Sequence, residues 1–160
     1  SAIQVSMKLI PAKADFGIKF FRTDLPNNNI VEALWTNVTN TKLCTTISNE
    51  FGASVSTIEH LMSALSGLHI DNLKIEIDGP EVPIMDGSSK DFVDLLESTS
   101  IKDLGKRKKI IKIKKDIKVS QDNSSAELKP NKQFSIDFEI DFPSRVISKQ
   151  SCYLQLEALH

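Results

Sequence analysis

The sequence has few cysteines, no long apolar run and almost no net charge, and each shortage excludes a class of protein. Its two cysteines, Cys44 and Cys152, are far apart and lack a CxxC partner, which favours reduced thiols in the cytoplasm over a disulfide framework. No apolar run approaches the roughly 18 residues of a membrane span, and no signal-peptide pattern opens the chain, so we expect neither stable membrane insertion nor export. Twenty Lys and Arg against 21 Asp and Glu give no reason to predict nucleic-acid binding.

What the chain does contain is enough apolar sequence for a core. Its 160 residues are 40% hydrophobic, which allows one sizeable core without disulfide or metal support. Composition turns polar and basic between residues 98 and 109, around Gly105, and this change is typical of a linker. We therefore predict an α+β protein with a first domain at residues 1–105 and a second, incomplete domain at residues 106–160.

Hydrophobic periodicity places the elements of the first domain. A helix is predicted to begin at Ser56 and end near Gly67. A second helix is predicted after a cap at Ser88 or Ser89. Its buried side is expected to carry Phe92, Val93, Leu95 and Leu96. The predicted strands cover residues 5–11, 16–21, 30–35, 43–47 and 73–78.

The second domain is predicted to contain strands only, at residues 110–119, 125–128, 133–142 and 152–156. A sheet of a few strands without a covering layer leaves its apolar face exposed. The basic run at residues 106–115 invites a phosphate or membrane interpretation. However, its isoleucines alternate with lysines, and we favour a strand with a solvated lysine face.

The most informative residues are Glu59 and His60, side by side in the first turn of the predicted helix. A neutral imidazole can hold zinc, and a neighbouring carboxylate can take a proton from a metal-bound water, so the pair suits metal-assisted hydrolysis. Simpler interpretations remain open. Ser56-x-x-Glu59 is also the pattern of a capping box, and a single histidine is more often structural than a ligand. Asp86 to Ser88 is better interpreted as a turn and helix cap than as a catalytic group.

Three consecutive segments, at residues 55–65, 67–73 and 78–88, closely resemble ordered motifs of the UDP-3-O-acyl-N-acetylglucosamine deacetylases. Residues 11–13, 17–24 and 134–142 resemble the same family more weakly. These are zinc enzymes that commit Gram-negative bacteria to lipid A synthesis. The resemblance implies two similar units, each a layer of strands on a layer of helices, with the active site between them. This chain would hold the first as a two-layer α/β sandwich, followed by part of the second, mainly β-strands.

By this resemblance, Glu59 matches the catalytic general base and His60 the first zinc ligand. The implied substrate is UDP-3-O-acyl-N-acetylglucosamine, whose acetamide is hydrolysed to acetate and a free amine. Cys44, with Lys42 in the same segment, matches a family position near the metal and is expected at the substrate pocket. Cys44 is equally well explained as a small buried strand residue.

The family's remaining zinc ligands belong to a His-x-x-x-Asp helix, and a further histidine assists the reaction; the sequence contains neither pattern. One protein ligand does not make a catalytic zinc site. We therefore expect the isolated chain to be inactive and to bind zinc weakly at best. The alternative function is that of a truncated, non-catalytic domain that binds a partner, or a second copy of itself, through its incomplete second sheet.

Overall fold

The chain divides into two compact units, Ser1–Lys106 and Arg107–His160. The computed structural model describes residues 4–156. Strands occur in both units, and the two α-helices of the described residues lie in the first, which confirms the predicted α+β class. Neither of these helices is long and apolar enough to cross a membrane.

The first unit is built around a four-stranded sheet. Its elements in chain order are β1 (Met7–Pro11), β2 (Ile18–Arg22), β3 (Ile30–Glu32), β4 (Val38–Asn40), β5 (Thr46–Ser48), β6 (Ser54–Val55), α1 (Glu59–Gly67), β7 (Leu73–Ile77) and α2 (Lys90–Glu97). The large sheet has the order β1-β7-β2-β3, and β4, β5 and β6 form a separate three-stranded sheet. Strand β7 runs parallel to β2 and antiparallel to β1. The strand that comes last in sequence among these four therefore lies in the interior of the sheet.

Alternation of side chains gives the large sheet one apolar and one charged face. On β7, Ile75 and Ile77 are buried, and the pairing register places Phe20 beside Ile75. The charged face carries two ion pairs, Lys19 with Glu32 and Lys74 with Glu76. The apolar face joins the helices in one core, whose helical members are Leu61, Ala64, Leu65, Phe92 and Leu96. A layer of strands thus shares its core with a layer of helices.

Helix α1 begins at Glu59, three residues later than predicted. The expected start at Ser56 is wrong because Ser56 pairs with Glu81 in a parallel β-bridge. The helix ends in a Schellman motif, in which the His69 N–H donates to Ser66 O at 3.2 Å and the Ile70 N–H donates to Leu65 O at 2.8 Å. His69 has φ +56°, the left-handed position that glycine usually occupies.

Two strand predictions in the first unit have the wrong bounds. The strand expected at residues 30–35 stops at Glu32, and a short 3-10 helix, Trp35–Asn37, follows. The strand expected at residues 43–47 is shifted to Thr46–Ser48, because Leu43 has φ +67° and cannot continue an extended strand.

Helix α2 begins after the two serines predicted to cap it, Ser88 and Ser89, which have different roles. Ser89 occupies the cap position without a side-chain hydrogen bond, whereas the Ser88 hydroxyl accepts from the Lys90 N–H at 3.1 Å. Asp86 in turn accepts from the Ser88 N–H at 2.9 Å, the turn role predicted for this segment. Hydrogen bonds from Ser88 lower the pKa of the Asp86 carboxyl. Leu95, expected on the buried side, is 53% exposed, and that prediction is wrong.

As far as residue 156, the second unit contains two separate antiparallel hairpins. Strand β8 (Ile117–Gln121) pairs with β9 (Ser124–Leu128), and β10 (Phe134–Asp141) pairs with β11 (Lys149–Leu156). The strand expected at residues 110–119 begins later, at Ile117, and residues 106–116 form neither strand nor helix. Seven of residues 106–115 are Lys or Arg, and such a block of like charge repels itself when no partner strand pairs with it.

Candidate active site

Glu59 and His60 are the first two residues of α1, and both side chains are half-buried. Neighbouring residues on a helix point about 100° apart. The carboxylate and the imidazole therefore leave the same turn in different directions. This divergence suits a division of labour in which one group binds a metal and the other acts on a water, as in helical zinc motifs where a Glu adjoins a ligand His.

The Glu59 carboxylate is fixed through one of its two oxygens. The backbone N–H of Thr45 donates to Glu59 Oε2 at 3.0 Å. Among residues 4–156, Glu59 Oε1 accepts no hydrogen bond from the protein. The carboxylate is thus anchored by a backbone donor that cannot rotate away, while its second oxygen remains available for a ligand or a water.

The capping-box interpretation of Ser56 and Glu59 is wrong. A capping box needs the glutamate to accept from the Ser56 N–H, but that N–H donates to Pro80 O at 2.9 Å. The Ser56 hydroxyl shares a hydrogen bond with Thr46 Oγ1 at 3.0 Å. Glu59 instead bonds Thr45, a residue 14 positions away in the chain. Its carboxylate is therefore committed to tertiary structure and not to its own helix end.

The segment that leads into α1 is held from two sides. On one side, the Val82 N–H donates to Ser56 O at 3.0 Å, and Thr57 Oγ1 donates to Glu81 Oε1 at 2.8 Å. On the other side, the Ile58 N–H approaches Thr45 O at 3.4 Å. Together with the bond from Thr45 to Glu59, these contacts fix where α1 starts and in which direction its first turn faces.

Cys44 and Lys42 lie on the segment that precedes Thr45. The half-buried Cys44 has its Sγ 3.8 Å from Thr46 Oγ1, and Thr46 contacts Ser56 as described above. Cys44 is thus connected to Ser56 through Thr46, and it directly precedes Thr45, whose N–H bonds Glu59. The Lys42 side chain is exposed, and its backbone N–H donates to Asn40 Oδ1 at 2.8 Å. A pocket role for either residue stays a prediction.

The described residues do not complete a zinc site by themselves. Within residues 4–156, no three His, Cys, Asp or Glu side chains come together closely enough to hold a metal ion. Catalytic zinc normally takes three protein ligands, and among residues 4–156 only His60 was predicted to be one; that role stays a prediction. His69, the other described histidine, is exposed beyond the opposite end of α1.

Sequence patterns did not single out Thr45, Thr57 or Glu81, although these residues make contacts at the start of α1. Thr45 acts through its backbone, which carries no residue-specific signal. Thr57 lies at φ +57°, a conformation that is rare for β-branched residues and that no propensity rule predicts at this position. The turn residues within 78–88 are the one local signal that the chain turns back after β7.

Comparison with known proteins places this site in context. The family model of the UDP-3-O-acyl N-acetylglycosamine deacetylases (LpxC) matches residues 1–159. A UDP-3-O-acyl-N-acetylglucosamine deacetylase from Pseudoalteromonas atlantica is 47% identical over 154 residues, 96% of this chain and 51% of the relative. Relatives with the same name from Shewanella violacea and Syntrophus aciditrophicus are 44% and 43% identical over 98% of the chain. The chain spans about half the length of these curated relatives, 49% to 51%.

Proposed function

Because the chain belongs to the LpxC family of UDP-3-O-acyl-N-acetylglucosamine deacetylases, we propose that it supplies the Glu59 and His60 side of a zinc-dependent deacetylase site. The proposed reaction is hydrolysis of the acetamide of UDP-3-O-acyl-N-acetylglucosamine in lipid A biosynthesis. One observation carries the proposal. The Glu59 carboxylate is anchored by Thr45 through a single oxygen, beside His60 on the same helical turn.

The role of Glu59 follows from that geometry. Its free oxygen accepts a proton from the attacking water as the water oxygen bonds to the acetamide carbonyl carbon. As the C–N bond then breaks, Glu59 returns this proton to the departing nitrogen; the amine leaves with acetic acid, which ionises to acetate. A positioned carboxylate of this kind contributes about 10²- to 10⁴-fold to the rate. Thr45 contributes by restricting the rotation of the carboxylate, so less entropy is lost on reaching the reactive geometry.

His60 is proposed as one zinc ligand, through a neutral imidazole nitrogen, with the other ligands supplied from outside the described residues. When bound, zinc would polarise the acetamide carbonyl and acidify a water. Because a single histidine holds zinc weakly, the 160-residue chain alone is expected to be inactive. Substantial zinc-dependent turnover by this polypeptide in a deacetylase assay would contradict that expectation.

The decisive experiment is Glu59→Gln in a full-length deacetylase that contains this chain. Glutamine keeps an oxygen that can accept from Thr45 but removes the base, so we expect about a 10²- to 10⁴-fold lower kcat with zinc content unchanged. His60→Ala should lower both kcat and the zinc content. Glu50→Gln, at an exposed glutamate of the same unit, is the matched control and should retain normal rates. A Glu59→Gln enzyme with near-normal kcat would refute the general-base role.

A cytoplasmic location is part of the same proposal. Both cysteines, Cys44 and Cys152, are free thiols, and Cys152 is exposed. Exposed free thiols suit a reducing compartment. Labelling with a thiol reagent immediately after cell lysis should find both residues reduced; a mixed disulfide at Cys152 would count against the assignment.

A second candidate function, self-association, is favoured by the β10–β11 hairpin. Side chains on one face of the hairpin are apolar and exposed: Phe134 at 63%, Ile136 at 43%, Phe138 at 59% and Leu154 at 47%. The pairing of Ile136 with Leu154 and of Phe138 with Cys152 makes this face continuous across both strands. A second copy of the chain could cover it. Light scattering that detects only monomer over a range of concentrations would exclude this candidate.

A further inference from the structure

The residue two positions before Glu59 has an unusual backbone. Thr57 has φ +57°, in the left-handed region that β-branched residues rarely adopt because the side chain crowds the backbone. The Thr57 side chain is nevertheless 5% exposed and therefore buried. Such a conformation persists only where the surrounding structure enforces it, and these conformations concentrate at functional sites.

The enforcing contacts come from residues 80–82. The Ser56 N–H donates to Pro80 O at 2.9 Å and the Val82 N–H donates to Ser56 O at 3.0 Å, which fixes the backbone immediately before the turn. The Thr57 hydroxyl then donates to Glu81 Oε1 at 2.8 Å. Of these bonds, only the last depends on the identity of residue 57. It joins the strained residue directly to the neighbouring segment.

The turn at Thr57 determines which residues contact Thr45. A chain that continued in extended form through residue 57 would carry Ile58 and Glu59 past this residue. With the turn, the Ile58 N–H lies 3.4 Å from Thr45 O and the Thr45 N–H lies 3.0 Å from Glu59 Oε2. The backbone of Thr45 thus bonds both the residue before α1, through its carbonyl, and the Glu59 carboxylate, through its N–H.

We propose that Thr57 is a positioning residue whose hydroxyl, bonded to Glu81, holds the left-handed turn that brings Glu59 to Thr45. The word positioning rests on the proposed function, in which Glu59 is the general base. The effect of Thr57 on the bond between Glu59 and Thr45 does not depend on that function. Thr57 itself contacts no reacting atom. A purely structural Thr57 would stabilise the whole unit evenly, whereas a positioning Thr57 acts selectively on the bond between Glu59 and Thr45.

The test measures amide hydrogen exchange by NMR on the full 160-residue chain. The reporter is the Thr45 amide. The Glu59→Ala variant gives the exchange rate of this amide without the carboxylate. The Ile75 amide, in the interior strand β7, reports global stability. Thr57→Val keeps the shape but removes the hydroxyl. It should speed Thr45 exchange at least about tenfold more than it speeds Ile75 exchange, because Ile75 reports only the loss of global stability. Thr57→Ser restores the hydroxyl and should keep Thr45 close to wild type.

Two results would overturn the proposal. In one, Thr57→Val leaves Thr45 exchange within twofold of wild type. In the other, Thr45 and Ile75 exchange accelerate by the same factor in the folded variant, which indicates a general structural role. If Thr57→Val does not fold, Glu81→Ala addresses the same bond from its acceptor, with Glu81→Gln as the variant that retains an acceptor. Protection of Thr45 in folded Glu81→Ala would then refute the coupling.

This readout is separate from catalysis. In a full-length deacetylase, Thr57→Val should lower kcat while leaving KM nearly unchanged, since the base is displaced but substrate contacts are not. If Glu59 is not the base, kcat will not respond to Glu59→Gln, yet the exchange result at Thr45 will stand. Failure of the proposed function and failure of the coupling are therefore distinguishable.

Discussion

Two residues with left-handed backbones, His69 and Thr57, should respond in opposite directions to replacement by glycine. Their φ values are nearly the same, +56° and +57°. At His69 the side chain is exposed, so glycine removes backbone strain of about 1–2 kcal/mol without losing a packed group. Glycine also loosens the unfolded chain, which costs about 0.4–1 kcal/mol. The net expectation for His69→Gly is a stabilisation of about 0.5–1 kcal/mol.

At Thr57 the same relief of strain is outweighed. Glycine deletes a buried methyl group, at about 0.8 kcal/mol, and a hydrogen bond to the Glu81 carboxylate, at about 1.5–3 kcal/mol. It also incurs the same entropic cost in the unfolded chain. Thr57→Gly should therefore destabilise the first unit by about 1–3 kcal/mol. The sign of the change, and not only its size, separates a left-handed residue locked by its side chain from one that is not.

Urea unfolding followed by circular dichroism at about 222 nm measures both changes, because the described α-helices belong to the first unit. The midpoint should rise for His69→Gly and fall for Thr57→Gly at constant slope. Ser63→Gly, at an exposed position inside α1, is the control and should lose about 0.5 kcal/mol through helix propensity. A lower midpoint for His69→Gly, or a higher one for Thr57→Gly, would refute the argument.

Two further predictions concern the core and the pH dependence of stability. Leu61 is 0% exposed and Leu95 is 53% exposed, so Leu61→Ala should cost about 2–5 kcal/mol and Leu95→Ala much less; equal losses in urea unfolding would contradict the core assignment. Arg22 donates two hydrogen bonds to Asp24, at 2.8 and 2.6 Å, which lowers the pKa of the Asp24 carboxyl. The stabilisation from the ionised Asp24 carboxyl is complete above the pKa of this group in the unfolded chain, about 4. It disappears as the pH falls through the lower pKa of the folded chain. Between about pH 5 and pH 3, wild type should therefore lose more stability than Asp24→Asn; matching pH profiles would exclude this pair as a source of acid sensitivity.

The sequence predicted those parts of the fold that are determined by neighbouring residues. The alternation in β7 and the apolar stripe of α1 both predicted their elements, because burial of a periodic face dominates over several consecutive residues. The start of α1 was misplaced because the Ser56 N–H bonds Pro80, which lies far along the chain. The basic stretch before β8 has strand-like apolar spacing but no pairing strand, and local spacing does not reveal a missing partner.

The candidate site likewise has residues that the sequence predicted and contacts that it did not. Glu59 and His60 were visible as an adjacent pair of chemically capable side chains on a predicted helix. Their supporting contacts were not visible, because Thr45 acts from 14 residues away through its backbone and Glu81 meets Thr57 across 24 residues. A carboxylate that could have been a helix cap became an anchored group only through these distant contacts.

The interior place of β7 has a consequence for synthesis of the chain. Strands β1 and β2 both pair with β7, and β1 reaches it through pairs such as Met7 with Ile77. While a ribosome is still translating the region before residue 73, the large sheet lacks the strand that joins its two edges, and β1 has no hydrogen-bonded neighbour. Such long-range closure is slow and leaves strand edges open to wrong pairing. Until Val82 has emerged, neither the pairing of β1 with β7 nor the bonds from residues 80–82 to Ser56 and Thr57 can be complete.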